Sequence, residues 1–203
     1  MYCLILIINS SMDYIMRIFQ KSTLLILIAI FSLTAASSQT IFEQKNDSSY
    51  RQLQNFRQMF WDSLPKPNNW TNDYENLFTD TQEQHLNNLI YSFKKKTSIE
   101  ICIVTIDTIY TSKEKFNELA LHIAKTWGVG EKDKNNGITI CISAAYRMIR
   151  ICNGYGIEKY LTDAATKKII DNYFIPSFKT GNYYQGTIVG LNAIIQKLKS
   201  PNN

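Results

Sequence analysis

Apolar residues recur along this chain with two different periods, and the way those periods alternate predicts a layered α/β domain. Leu53, Phe56, Phe60 and Leu64 fall at helical spacing and predict a short amphipathic helix. Pro65-Lys66-Pro67-Asn68-Asn69 ends it and forms a link. Thr79 with Gln82 three residues on reads as a capping box, opening a helix whose buried stripe is Leu86, Leu89, Ile90 and Phe93. Between Ile99 and Asp107 the helical period vanishes. Ile101, Cys102, Ile103, Val104 and Ile106 form a nearly unbroken apolar run, the pattern of a strand covered on both faces. Phe116, Leu119, Ala120, Ile123 and Trp127 restore helical spacing, and Gly128 ends that helix. Two strands follow, Gly137 to Ser143 and Arg147 to Asn153. Only Ala144-Ala145-Tyr146 joins them, too short for a parallel crossover, so they form an antiparallel hairpin. Thr162 caps a helix with the stripe Ala165, Ile169, Ile170 and Tyr173, stopping near Pro176, and a last helix carries Ile188, Leu191, Ile195 and Leu198. The expected architecture is a three-layer α/β/α sandwich on a mixed sheet.

The first residues follow other rules. Met16 to Lys21 is a basic start, Leu24 to Leu33 is apolar, and small residues follow from Thr34 to Ser38, the order of a secretory signal peptide. The apolar run is shorter than the roughly 20 residues of a membrane span. The expectation is therefore a leader over 1–39 whose true start is Met16, and a periplasmic or secreted protein. The alternative is an uncleaved leader that anchors the chain. Residues 40–64 are expected to hold a flexible segment and the short helix, 65–198 the domain, and 199–203 a tail.

The whole chain carries 22 Lys and Arg against 17 Asp and Glu, a net charge of +5, and without the leader the balance is +4. That charge is spread over helix faces, and the single run, Lys94-Lys95-Lys96, suits the end of its helix. Nucleic acid is excluded as a partner on this ground. Beyond Cys3 in the leader, Cys102, Cys141 and Cys152 are an odd set without metal or redox spacing, and buried thiols in strands explain them. A Cys141–Cys152 disulfide is the alternative in an oxidising compartment.

Topology suggests where chemistry sits. The loop entering the first hairpin strand and the loop leaving the second fall at one end of the sheet. Glu131, Asp133, Asn135, Asn136, Glu158 and Asp163 are thereby expected to converge there, with Gly154 and Gly156 allowing close backbone approach. Carboxylates, amide oxygens and carbonyls suit a hard cation, Ca2+ or alternatively Mg2+. Turn chemistry at Asn135-Asn136-Gly137 and a helix start at Thr162-Asp163 explain the same residues without a metal.

Three stretches carry a family resemblance: Trp127 to Asp163 (WGVGEKDKNNGITICISAAYRMIRICNGYGIEKYLTD), Pro65 to Asp80 (PKPNNWTNDYENLFTD) and Ile175 to Gly190 (IPSFKTGNYYQGTIVG). Together they resemble the TPM domain, the family of TLP18.3, Psb32 and MOLO-1-type proteins, over roughly Pro65 to Leu198. The resemblance implies the same sandwich fold. Some members bind calcium, and Asp133, Asn136 and Asp163 match the acidic motif positions, as Asn72-Asp73 matches a Val-Asn-Asp type motif in which Thr71 replaces the apolar residue. The resemblance also implies an arginine at Arg150, which either pairs with an acidic residue or anion, or is an ordinary cross-strand polar residue. Two functions follow as expectations: a non-catalytic accessory module for assembly, maintenance or stress protection of an envelope or membrane protein, and a weak metal-dependent acid phosphatase.

Other motifs fall away. Cys141 and Arg147 fit the C-x5-R spacing of cysteine phosphatases, but the segment turns from strand to strand and offers no phosphate-cradling helix start. Gly154-Tyr155-Gly156 lacks the third glycine of a dinucleotide site. His85 and His122 lack companion ligands for zinc. The aromatic group Tyr173, Phe174, Phe178, Tyr183 and Tyr184 is expected to pack the last helices, with part of it left as a partner surface.

Overall fold

A computed structural model describes residues 47–199. The expected leader over 1–39 and all of the expected tail except Lys199, which ends the last helix, lie outside the described residues. Two compact units meet between Gln54 and Asn55; of the first, the described residues 47–54 are helical. The second contains the elements that matter here. Helical backbone over 55–62 (α1) is followed by β1 (Thr71–Asp73), α2 (Asp80–Thr97), β2 (Glu100–Thr105), α3 (Phe116–Trp127), β3 (Gly137–Ser143) and β4 (Met148–Asn153). After them come α4 (Tyr155–Glu158), α5 (Asp163–Ile169), a π turn (Ile170–Phe174), α6 (Ile175–Lys179) and α7 (Tyr183–Lys199). Among the described residues no helix is long and apolar enough to cross a membrane.

The sheet has four strands in the order β1-β2-β3-β4. β1, β2 and β3 run parallel, while β3 and β4 form the antiparallel hairpin, with Cys141 opposite Arg150 and Thr139 opposite Cys152. Alternation along each strand splits the core in two. Ile101, Ile103, Ile138, Ile140 and Ile142 face α2 and α7 on one side, through Leu86, Ile90, Phe93, Leu191 and Ile195. Cys102, Val104 and Cys141 face α3 on the other, through Phe116, Leu119, Ala120 and Ile123, with Phe60, Trp61 and Leu64 packed alongside. The three-layer arrangement on a mixed sheet therefore stands, and it is an open sheet.

One consequence of this layering positions the site. Both crossovers, through α2 and through α3, step the same way across the parallel strands, yet the two helices cover opposite faces. Their hands must differ, so one of them departs from the usual right-handed rule. The loops leaving β1 and β2 consequently diverge to opposite faces, the arrangement that in open α/β sheets places the crevice at the carboxyl ends of the strands.

Local signals hold where they are chemically strong. Thr79 and Gln82 form the reciprocal capping box. Gly128 takes the left-handed conformation after α3, and the Thr162 hydroxyl accepts from the Ala165 amide. The third helix departs from expectation. It does not stop near Pro176: a π turn widens it, the Ile175 amide reaching back to Ile170 O, and helix resumes with Pro176 in its first turn. That extra residue shifts the register by one position. Phe174 enters the core fully buried, and Tyr173, expected inside, is 44% exposed. Phe174 fits because Gly190 leaves the space; a Cβ there would lie 2.1 Å from its ring. β1 also escaped expectation, since Thr71-Asn72-Asp73 has no apolar alternation to announce it.

Candidate functional site

The crevice at the carboxyl ends of β1 and β2 is built from short polar residues that tie three loops together. Asp73 ends β1. Its Oδ1 accepts from the Thr105 hydroxyl and from Leu77 N at 3.1 Å, and its Oδ2 from Phe78 N at 2.8 Å. Thr105, at the end of β2, accepts in turn from Glu75 N at 2.9 Å. The Glu75 carboxylate reaches the hairpin turn and accepts the Ala144 and Ala145 amides, both at 2.8 Å. Asp107 follows β2 and accepts from Ile109 N at 2.9 Å. Burial pushes the Glu75 carboxyl above the usual carboxylate range; the two amides pull it down, and the charges of Asp107 and Asp73 add to the rise. Three carboxylates thus share one electrostatic neighbourhood at a topological crevice.

The opposite end of the sheet carries the other expected residues. The two loops meet there, but through backbone: Gly156 N donates to Asn135 O at 3.0 Å and Gly154 N to Gly137 O at 2.8 Å. A Cβ on Gly156 would lie 2.0 Å from Lys134 O, which explains the glycine. Asn136 is buried, and its amide is spent on structure. It accepts from Glu131 N at 2.7 Å and donates to Ser98 O at 2.8 Å, pinning the loop to the end of α2. Glu131 pairs with Lys134 at 2.8 Å. Asp133 and Asp163 are exposed, and Asp163 stands in the first turn of α5. Asp73 is not among them, because parallel pairing places it at the other end of the strands. The expected ligand set is therefore divided between two ends of the sheet.

For a cation, the two ends differ in what they offer. Each carboxylate oxygen can accept two hydrogen bonds, so Asp73 retains one acceptor position and Glu75 two. Among the described residues no three His, Cys, Asp or Glu side chains are grouped to hold one ion. An ion at the crevice would draw on at most two carboxylates and complete its shell with carbonyls and water, a composition Ca2+ and Mg2+ accept.

The remaining reactive groups are occupied. Cys141 is fully buried in β3, and burial drives its thiol well above the usual range; burial likewise pushes Cys102 up to about 12. Cys102, Cys141 and Cys152 are free thiols, and Arg147 sits in a turn with a left-handed backbone, not at a helix start. Arg150 donates to Cys152 Sγ at 3.4 Å, and among the described residues no carboxylate pairs with it. His85 meets the Tyr184 hydroxyl at 2.5 Å, and His122 stacks on Trp61 with ring centroids 4.2 Å apart. Glu75 and Asp107 were missed by sequence reasoning. The usable signals were Asp107 closing the central apolar run and Glu75 lying two residues beyond the Asn72-Asp73 motif.

An open, mixed four-stranded sheet with helices on both faces defines a layered α/β domain. Residues 71–197 match the family model described as the TPM domain. The chain belongs to that family. Solved structures agree on the fold. The N-terminal domain of a P. gingivalis protein is 30% identical with a TM-score of 0.59, over 64% of this chain and 82% of that one. BA42 from the psychrophilic bacterium Bizionia argentinensis is 22% identical with a TM-score of 0.53, over 63% of this chain and 86% of that one. The N-terminal domain of a Corynebacterium glutamicum protein is 12% identical with a TM-score of 0.50, over 70% and 86%. No curated protein matches the chain.

Proposed function

We propose that this TPM domain is an exported, non-catalytic accessory module that binds a divalent cation, Ca2+ or Mg2+, at the β1/β2 crevice. It serves assembly, maintenance or stress protection of an envelope or membrane protein. The observation that carries this reading is the crowding of Asp73, Glu75 and Asp107 at the crevice, where Glu75 is already pushed up by burial and by its acidic neighbours. A divalent cation relieves that repulsion. The non-catalytic part rests on chemistry: a nucleophile needs a lowered pKa or an adjacent base, and the thiols of Cys102 and Cys141 are held protonated.

The test is thermal unfolding with and without CaCl2 or MgCl2, run beside p-nitrophenyl phosphate turnover. The module reading expects cation-dependent stabilisation, lost in Asp107→Asn, kept in Asp163→Ala, and no turnover. Stabilisation lost in Asp163→Ala instead moves the ion to the loops at Asp133, Asn136 and Asp163. Metal-dependent turnover lost in Asp107→Asn replaces the module with a weak metal-dependent acid phosphatase.

A further inference from the structure

A second site lies at the same end of the sheet, beside the start of β4. A cavity of about 390 Å3 opens there, within the range of small-ligand pockets. Ile149 on β4, Ile175 and Phe178 on α6, and Tyr183 at the start of α7 supply its walls, with Arg147 and Lys179 at its mouth. The walls are ordered by aromatic packing, Phe178 and Tyr183 having ring centroids 4.8 Å apart. The two cations are exposed, and among the described residues neither has a carboxylate partner. Arg147 holds a φ of 54°, a left-handed backbone that ordinarily favours glycine or asparagine. Turn geometry alone does not call for arginine there, and a functional demand on the side chain would explain its cost. The Tyr183 hydroxyl donates to Ala144 O at 3.3 Å. Its phenol is pushed up by burial and by Glu75, while Arg147 pulls it down, so the guanidinium lies within electrostatic reach of the cavity wall.

We infer that this cavity binds a small amphiphilic anion, a carboxylate carried on an apolar body. The body lies against Ile149, Ile175 and Phe178, and the head group is taken by Arg147 and Lys179. Arginine suits a planar carboxylate because its fork donates two parallel hydrogen bonds, and lysine adds a movable charge. Binding at this cavity needs no cation at the acidic crevice, so the inference stands apart from the proposed function.

Calorimetric titration of the full chain with octanoate, 1-octanol, acetate and inorganic phosphate tests it, with a parallel flotation assay on phosphatidylglycerol vesicles. Saturable octanoate binding is expected, with octanol and acetate each weaker by about tenfold or more. Arg147→Gly is the informative variant, since it removes the cation while relieving the left-handed backbone. It should unfold no earlier than the parent chain yet bind octanoate about tenfold more weakly, and Lys179→Gln should weaken it by a smaller factor. Octanol binding as tightly as octanoate, or unchanged octanoate affinity in Arg147→Gly, overturns the inference. So does phosphate binding that matches octanoate, or binding seen with vesicles alone.

Discussion

Two half-buried carboxylates, one at each end of the sheet, have opposite fates. Glu100 begins β2 and accepts from Lys94 Nζ at 2.7 Å, Trp70 Nε1 at 3.0 Å and Gly130 N at 3.3 Å. Burial pushes Glu100 up, but the Lys94 and Trp70 hydrogen bonds, the Lys94 charge and the Gly130 amide outweigh it and hold the carboxyl low. Glu75, beyond the other end, receives two amides and no cation, and its neighbours are Asp73 and Asp107, so it ends high. One end of the sheet is electrostatically satisfied within the chain. The other carries surplus negative charge, and a surplus of that kind is what an external cation can relieve.

The difference can be attacked directly. The largest effect is expected from Gly156→Ala, which drives a Cβ to 2.0 Å from Lys134 O and separates the two loops at the satisfied end. Urea unfolding should show a loss of about 3 kcal/mol. Asp73→Ala strands three donors at the crevice, and the same measurement should lose about 2 kcal/mol. It should also abolish any cation-dependent stabilisation, which Gly156→Ala should leave intact.

A pH series sharpens the contrast. Glu100 has a lowered folded pKa, so its contribution is present above the unfolded value and is lost as pH falls through the folded one. Its worth is about 1 kcal/mol, discounted for the partial exposure of the pair. Glu75 has a raised folded pKa, so the folded state binds the proton more tightly. Stability from this group falls as pH rises through that raised value and grows as the solution is acidified from neutrality. Comparing pH-dependent thermal midpoints of the parent chain with Glu100→Gln and Glu75→Gln should show each variant removing a slope of opposite sign. The smallest effect belongs to Asp133→Asn. The side chain is exposed, and its thermal unfolding should match the parent within about 0.5 kcal/mol.

Much of this was legible along the chain. The capping box at Thr79, the apolar run of β2 and the short connection before β4 each rest on interactions between near neighbours, which is why they were legible, although that connection takes in Arg147 and β4 starts one residue later, at Met148. The third helix misled because Pro176 marks where a helix is obstructed, not how the obstruction is resolved. Phe174 could enter the core only because Gly190, sixteen residues on, makes room for it. The site residues divided in the same way. Asn136 and Asp163 sit in the loops that the hairpin brings together, but the carboxamide of Asn136 is consumed by Ser98 and Glu131, a pairing no local spacing announces.

By itself the sequence determined the order and kind of most elements, β1 and the π turn before Pro176 excepted, because periodicity, caps and short connections are local consequences of backbone geometry and side-chain packing. Only the tertiary structure decided that α2 and α3 cover opposite faces, that parallel pairing of β1 with β2 brings Asp73 to the end of the strands where Glu75 and Asp107 stand, and that Asp133 and Asp163 stand at the other. The face a helix takes and the charge a carboxylate meets depend on elements far away in sequence. Each is fixed when the sheet assembles, by which partner is there to be buried against.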